Sequence, residues 1–184
     1  MISRDEALEL LKSNVTEENL IQHSLESEAV LGALAEKLGQ DVELWSMTGL
    51  LHDLDYSQTA NTPEKHGLVA AEMLEGKLPE EAIQAIRAHN GDMTGVTPQS
   101  DFDFALRCGE TVTGLIHANA LMRPEKMNGM QPKSLKKKMK AKAFAASVDR
   151  EIIKECDKIG LELGDFFALS IGAVTKIAPE VGLE

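Results

Sequence analysis

No stretch of this chain alternates apolar and polar residues for more than four positions, while helix start and stop signals recur along its length. That pattern points to an all-α fold. Ser3 with Glu6 forms a capping box, and a short helix runs from there to about Lys12. Thr16 is placed to cap a second helix, with Glu17 and Glu18 in its first turn and Gly39 as its stop. Asp41 caps a third, which carries Val42, Trp45 and Leu50 into Leu51-His52-Asp53. Residues 54–62 read as a loop. Thr62-Pro63 starts a fourth helix with Pro in its first position, and Pro79 opens a fifth that ends at His89. Residues 90–99 read as a turn-rich loop. Ser100 with Asp103 caps a sixth helix, and three further helical patterns cover about 135–146, 149–162 and 165–177, the last capped by Asp165. The expectation is a single domain over 1–184, a non-parallel bundle of about eight or nine helices with a basic helical extension from about 123.

Composition narrows the class. Aromatics are only 4% of the 184 residues, so Leu, Ala, Ile and Met must fill the core, which favours helix over sheet. The net charge of −11 argues against a nucleic-acid binder that works through overall charge, although a local patch can still bind phosphate. Cys108 and Cys156 lie inside helical patterns without a Cys or His at finger spacing, so buried free thiols are expected. The first residues lack an apolar run after a basic start, and no stretch approaches 18 apolar residues; a cytoplasmic location without a membrane partner is expected.

The chemistry-bearing residues are five histidines, His23, His52, His66, His89 and His117, and the acids near them. His52-Asp53 sets a nitrogen ligand beside an anionic oxygen ligand, which suits a borderline divalent metal. By itself the dipeptide is more often a polar helix end. A lone mid-helix histidine such as His23 is likewise more often a hydrogen-bonded core residue. The company of these residues changes those odds. His23, then Trp45 and Gly49-Leu50-Leu51-His52-Asp53-Leu54-Asp55, resembles the HD-domain phosphohydrolase superfamily, in particular a small bacterial branch of predicted HD hydrolases. His66-Gly67 with Ala70-Ala71, and Ile86 with His89, resemble the histidine-bearing segments of HDIG-type members. The likeness runs on through Gly114-Leu115-Ile116, Arg123-Pro124-Glu125-Lys126 and Phe144-Ala145.

The resemblance implies an all-α fold around one or two divalent ions (Mn, Ni, Co, Mg, Zn or Fe) and hydrolysis of a phosphate ester or nucleotide. It makes His23, His52 and Asp53 metal ligands. The family's closing ligand is an Asp; here the matching position is Glu110, one methylene longer. His66 and His89 match positions that hold a second ion in two-metal members, with Asp53 then bridging; otherwise they stand beside the substrate as phosphate donors or a general acid. Two-metal members often carry a second His after the position of His89, where this chain has Asn90.

Phosphate must also be neutralised. Lys65 is one catalytic candidate, and Arg123 and Lys126 are the better substrate-binding candidates among the 9 of 19 basic residues that fall between 123 and 150. Most of those lysines read as a solvated helix face. Arg150 is placed to cap or to pair near Glu110. His117 reads as structural or surface, Asp55 as a loop cap or an acid behind the ligands, and Met122, Met127 and Met130 as core filler or a loop lid. The leading function is a metal-dependent phosphohydrolase of a small phosphorylated substrate, with no nucleic-acid polymer expected and the oligomeric state open. The alternatives are a di-iron oxygenase on the same scaffold and a non-catalytic nucleotide-binding module.

Overall fold

The computed structural model describes residues 1–184 and contains helices and no strands. In chain order the helices are α1 (Arg4–Asn14), α2 (Glu18–Leu38), α3 (Val42–Leu51), α4 (Tyr56–Thr59), α5 (Leu68–Leu74), α6 (Glu80–His89), α7 (Gly91–Thr94), α8 (Asp101–Leu121), α9 (Pro132–Lys140), α10 (Arg150–Lys154) and α11 (Leu163–Lys176). Eight of these eleven have seven residues or more; the others are single turns. No helix is long and apolar enough to cross a membrane.

The local signals explain most starts. Ser3 and Ser100 each form a complete capping box, with Glu6 and Asp103. Asp41 accepts the Leu44 N–H at 3.0 Å and starts α3. Gly39, with φ of +68°, ends α2 in the left-handed conformation. Several boundaries differ from the sequence expectation. Thr16 does not cap α2: Glu17 holds the N-cap position, and its carboxylate takes the Thr16 N–H and the Ser57 hydroxyl instead. Residues 54–62 contain α4, and 90–99 contain α7. The fourth helix does not start at Pro63. A 3₁₀ turn over Pro63–Lys65 comes first, and α5 begins only at Leu68. Towards the C-terminus, the pattern at 135–146 forms a helix only over 132–140, and that at 149–162 becomes α10 plus a 3₁₀ turn, Glu155–Asp157. Glu162, not Asp165, precedes α11.

Two 21-residue helices, α2 and α8, form the middle of the bundle. Helix α3 packs closely along α2, α6 lies on α8, and α11 closes the other side of α2. One core of buried apolar residues runs from Ala7 to Leu183 and includes Leu135, Phe166, Phe167 and Val174 from beyond residue 123. Met127 and Met130 are buried in it, whereas Met122 is exposed. Both cysteines are buried free thiols.

The α2–α3 crossing sets the distance between His23 and His52. Gly49 makes it possible: a Cβ there would lie 2.6 Å from the Ser27 carbonyl oxygen and 2.8 Å from its carbon. Those atoms are backbone and cannot swing aside. Gly49→Ala is therefore expected to destabilise the protein by about 1–3 kcal/mol, read as a lowered denaturation midpoint; an unchanged midpoint would mean the helices separate freely.

Candidate metal centre

Five segments deliver the site. His23 comes from the second turn of α2. His52 and Asp53 follow α3, His66 sits between the 3₁₀ turn and α5, His89 is the last residue of α6, and Glu110 is midway along α8. Their ligand atoms meet around one carboxylate. Asp53 Oδ1 lies 3.2 Å from His52 Nε2, 3.2 Å from His66 Nε2 and 3.5 Å from His89 Nε2; Asp53 Oδ2 lies 3.5 Å from His23 Nε2. The rings also approach in pairs, with His23 and His52 Nε2 atoms 3.2 Å apart and those of His66 and His89 3.1 Å apart. Glu110 Oε2 stands 3.7 Å from His23 Nε2.

The opposite ring nitrogens fix what those Nε2 atoms carry. His52 Nδ1 donates to the Gly49 carbonyl at 2.8 Å and His89 Nδ1 to the Ile86 carbonyl at 2.6 Å. His66 Nδ1 donates to Asp55 Oδ1 at 2.9 Å. His23 Nδ1 lies 2.8 Å from Thr113 Oγ1, whose own proton goes to the Glu110 carbonyl at 2.7 Å, so the imidazole is the donor. In the neutral rings all four protons sit on Nδ1, and four Nε2 lone pairs face a carboxylate. Once His66 gives up the second proton that bonds it to Asp53, the cluster is one of acceptors alone, which is a cation site by its chemistry. The spacing fits as well: two atoms about 2.1 Å from one ion and 90–110° apart are about 3.0–3.4 Å from each other. Two groups come close to this, His23-His52-Asp53 and Asp53-His66-His89, with separations of 3.1–3.5 Å and Asp53 common to both.

Burial sharpens the electrostatics. His52 is fully buried, and desolvation pushes its pKa down to about 3 despite Asp53, so it is a neutral ligand at any working pH. Burial acts against ionised Asp53, but the imidazoles around it, with charged His66 bonded to it, outweigh that and hold the carboxyl well below its ordinary range. Burial also opposes charge on His66, yet Asp53 and Asp55 together carry its pKa up to about 10. Glu110 is pushed up to about 8, first by burial and further by Asp53, against the Thr111 hydroxyl that donates to it.

Asp55 fills both of the roles expected for it, a cap and an acid behind a ligand. It is fully buried, and its second oxygen accepts the N–H groups of Gly67 (2.9 Å) and Ala70 (3.1 Å). One carboxylate thus caps α5 from across the turn and orients His66. Gly67 has φ of +86°, and a Cβ there would lie 2.8 Å from His89 Cε1, so the glycine lets the His66 turn close onto α6.

The cleft above the ligands holds about 340 Å³. Leu20, Tyr56, Asn90, Thr111 and Gly114 line it, and the segment Ser147-Val148-Asp149 forms its far wall. Asn90 donates to the carbonyls of Pro63 (2.8 Å) and His66 (3.2 Å) and so braces the turn. Three basic candidates are not brought to the site. Lys65 is exposed on the 3₁₀ turn and does not line the cleft. Arg123 binds the carbonyls of Lys126 and Asn128, and Lys126 binds that of Gly182. Both lie past the end of α8, more than 15 Å along the helix from Glu110 at about 1.5 Å per residue. Arg150 pairs with no acid; it ties down the carbonyls of Phe144, Ala145 and Val148 and so shapes the cleft wall. His117 is structural, bonded to buried Glu26 at 2.6 Å.

Sequence reasoning missed Arg107. Its guanidinium is buried, pairs with Glu155 (2.7 and 2.9 Å) and Asp92 (3.1 Å), and binds the carbonyls of Ala88 and His89. The only signal was an arginine amid the apolar positions of α8.

Comparison with known proteins agrees with this geometry. The HD domain model matches residues 20–158, and the chain belongs to that family, a superfamily of metal-dependent hydrolases. Among curated proteins it is similar to proteins named Ribonuclease Y. That of Desulfotalea psychrophila is 30% identical over 53% of this chain and 18% of the relative. That of Enterococcus faecalis is 37% identical over 41% and 15%, and that of Petrotoga mobilis 29% identical over 84% and 31%. The chain thus spans less than a third of these relatives' length. No solved structure matches it.

Two outcomes follow from the ring geometry. Thr113→Val removes the acceptor that fixes the His23 tautomer, and it should weaken divalent-metal affinity about 10–100-fold by chelator competition; unchanged affinity would show that Thr113 does not set the tautomer. Metal binding at pH 7 should release about two protons, from His66 and Glu110, because their metal-free pKa values of about 10 and 8 lie above that pH. Affinity should therefore fall as pH falls, and release should shrink as pH rises past about 8. Calorimetry in buffers of different ionisation enthalpy measures both.

Proposed function

We propose that this chain is a phosphohydrolase with a two-ion centre, acting on a substrate that presents a single phosphate ester to the cleft. The observation that carries the reading is the ring of four Nε2 lone pairs around Asp53. His23, His52, Asp53 and Glu110 would hold one ion, and Asp53, His66 and His89 the other. Bound divalent ions supply a water ionised near neutral pH and withdraw charge from the phosphoryl group. The protein's part is orientation. The Nδ1 bonds lock each imidazole, burial keeps His52 neutral, and Asp55 holds the His66 turn in place. Tyr56, packed edge-on to His66 with ring centroids 5.3 Å apart, and Ser147 line the cleft with hydroxyls that no protein group engages. They are the donors positioned for phosphate oxygens.

Charge restricts the substrate. No Lys or Arg lines the cleft, while Asp53, Glu110 and Asp149 do. A triphosphate would meet two or three carboxylates with only the ions to offset them, so one monoester or diester phosphate is the better match. The name Ribonuclease Y, borne by relatives that share this segment, is compatible with a diester.

Purified protein loaded with Mn, Co, Ni, Mg, Zn or Fe should hold about two ions per chain by elemental analysis and hydrolyse p-nitrophenyl phosphate or bis(p-nitrophenyl) phosphate. His52→Ala should lower kcat/KM by at least about 100-fold. Absence of turnover with every metal would refute the hydrolase reading. Four imidazoles also suit iron. A di-iron oxygenase is accordingly the second reading, and substrate-dependent oxygen consumption restricted to the iron-loaded protein would select it.

A further inference from the structure

A larger cavity adjoins the metal cleft and shares one wall with it. It holds about 760 Å³, and Ser147, Val148 and Asp149 line both spaces. Its charge is the opposite of the cleft's. Lys136 and Lys140 come from one face of α9, four residues apart, with Met139 between them, and Lys142 follows. None of these three lysines has a carboxylate partner, and all three face the same cavity. The acids and other bases of the lining are already engaged. Asp149 accepts the Glu151 N–H at 2.7 Å, Glu151 pairs with Lys154 at 2.6 Å, and Arg150 is bonded to three carbonyls.

The start of α11 adds to this field. Leu163 lines the groove, and no side chain caps this 14-residue helix. The Lys136 ammonium lies 2.7 Å from where a Cβ of Gly164 would be, so the glycine makes room for a cation against a helix N-terminus. Like charges four apart on a helix repel, and an ammonium beside the positive helix end is also unfavourable. An anion lying between them relieves both. Met139, Leu163 and Val148 give the same groove an apolar floor. A ligand suited to it has repeated anionic groups joined by units with apolar faces, and it is continuous with an ester held at the metals.

We propose that this lysine groove is a subsite for the flanking phosphates of a single-stranded oligonucleotide whose scissile phosphodiester lies in the metal cleft. This rests on the hydrolase reading above and extends it to a substrate class. It also departs from the sequence expectation that the lysines only solvate a helix face and that no nucleic-acid polymer is bound. The acidic cleft takes one phosphate through its ions, and the neighbouring groups fall on the lysines.

The test compares two triple variants of equal charge change. Lys136→Gln, Lys140→Gln and Lys142→Gln empty the groove; Lys133→Gln, Lys137→Gln and Lys158→Gln remove three exposed lysines that do not line it. Binding of a fluorescein-labelled ten-nucleotide oligouridylate is followed by anisotropy across a salt series. The groove variant should bind at least about tenfold more weakly than wild type, and its slope of log K against log salt should flatten by about two, since each phosphate contact on a single strand contributes about 0.7. The control variant should stay within about twofold of wild type. With manganese-loaded protein, the ratio of kcat/KM for the oligonucleotide to that for bis(p-nitrophenyl) phosphate should fall about tenfold in the groove variant. Equal losses in both variants, or none in either, overturn the proposal, as does groove-dependent binding to anionic phospholipid vesicles without oligonucleotide binding. If neither substrate turns over, the hydrolase reading fails, while anisotropy still decides whether the groove binds the strand.

Discussion

Everything in this structure depends on holding four imidazole lone pairs against one carboxylate. The arrangement needs a positive charge, supplied by the proton on His66 when no ion is bound, and the fold must hold the other rings in place around it. It does so by giving each ring a separate acceptor on the far side: two helical carbonyls, a buried carboxylate and a hydroxyl whose proton is already spent. Each acceptor belongs to packed backbone or to a buried side chain. The rings therefore cannot turn away from Asp53 without breaking a bond that the core protects. The tight α2–α3 contact at Gly49 and the left-handed turn at Gly67 serve the same end, because they bring the helices carrying His23 and His89 within reach.

The residues gathered around Asp53 were legible in the sequence because ligand chemistry restricts residue type: His23, His52, Asp53, His66, His89 and Glu110 are the kinds of residue a metal site needs, at helix positions that can converge. The helical class was legible for a similar reason, since capping residues such as Ser3, Asp41 and Ser100 act on atoms three residues away. The supports were less legible because they act across the fold. Thr113 reaches a ring 90 positions earlier, and Asp55 caps a helix that starts 13 residues later. Lys65, Arg123 and Lys126 are close to ligands in sequence but not to the cleft in space. Helix α8 carries the chain away from Glu110 before Arg123 is reached, and the 3₁₀ turn presents Lys65 to solvent while His66 points inward. Helices α4 and α7 are not legible in the sequence because a single turn has no periodicity.

Charge is segregated around the cleft wall. The metal side carries Asp53 and Glu110 and no Lys or Arg, which preserves affinity for cations and prevents a lysine from taking the place of an ion. Lys136, Lys140 and Lys142 stand on the other side of Ser147-Val148-Asp149. That segment keeps its course because Arg150 gathers the carbonyls of Phe144 and Ala145 before it and of Val148 within it, and because Asp149 begins α10. Gly114 contributes by omission: a Cβ there would approach Val148 Cγ2 to 3.0 Å, so α8 lies close under the wall.

Arg107 shows why a buried charge is retained beside such a site. A buried ion pair seldom stabilises a protein more than a well-packed apolar residue would, because desolvation offsets most of the attraction. Its return here is positional. The C-terminal carbonyls of a helix need donors, and α6 ends at His89, where the chain turns at once into α7. Arg107 supplies those donors from α8 while its other N–H groups hold Glu155 and Asp92. One guanidinium thus joins the end of a ligand-bearing helix, the middle of the bundle and the segment that follows the cleft wall. A lysine would keep the charge but lacks the planar fork needed to reach two carbonyls and two carboxylates together.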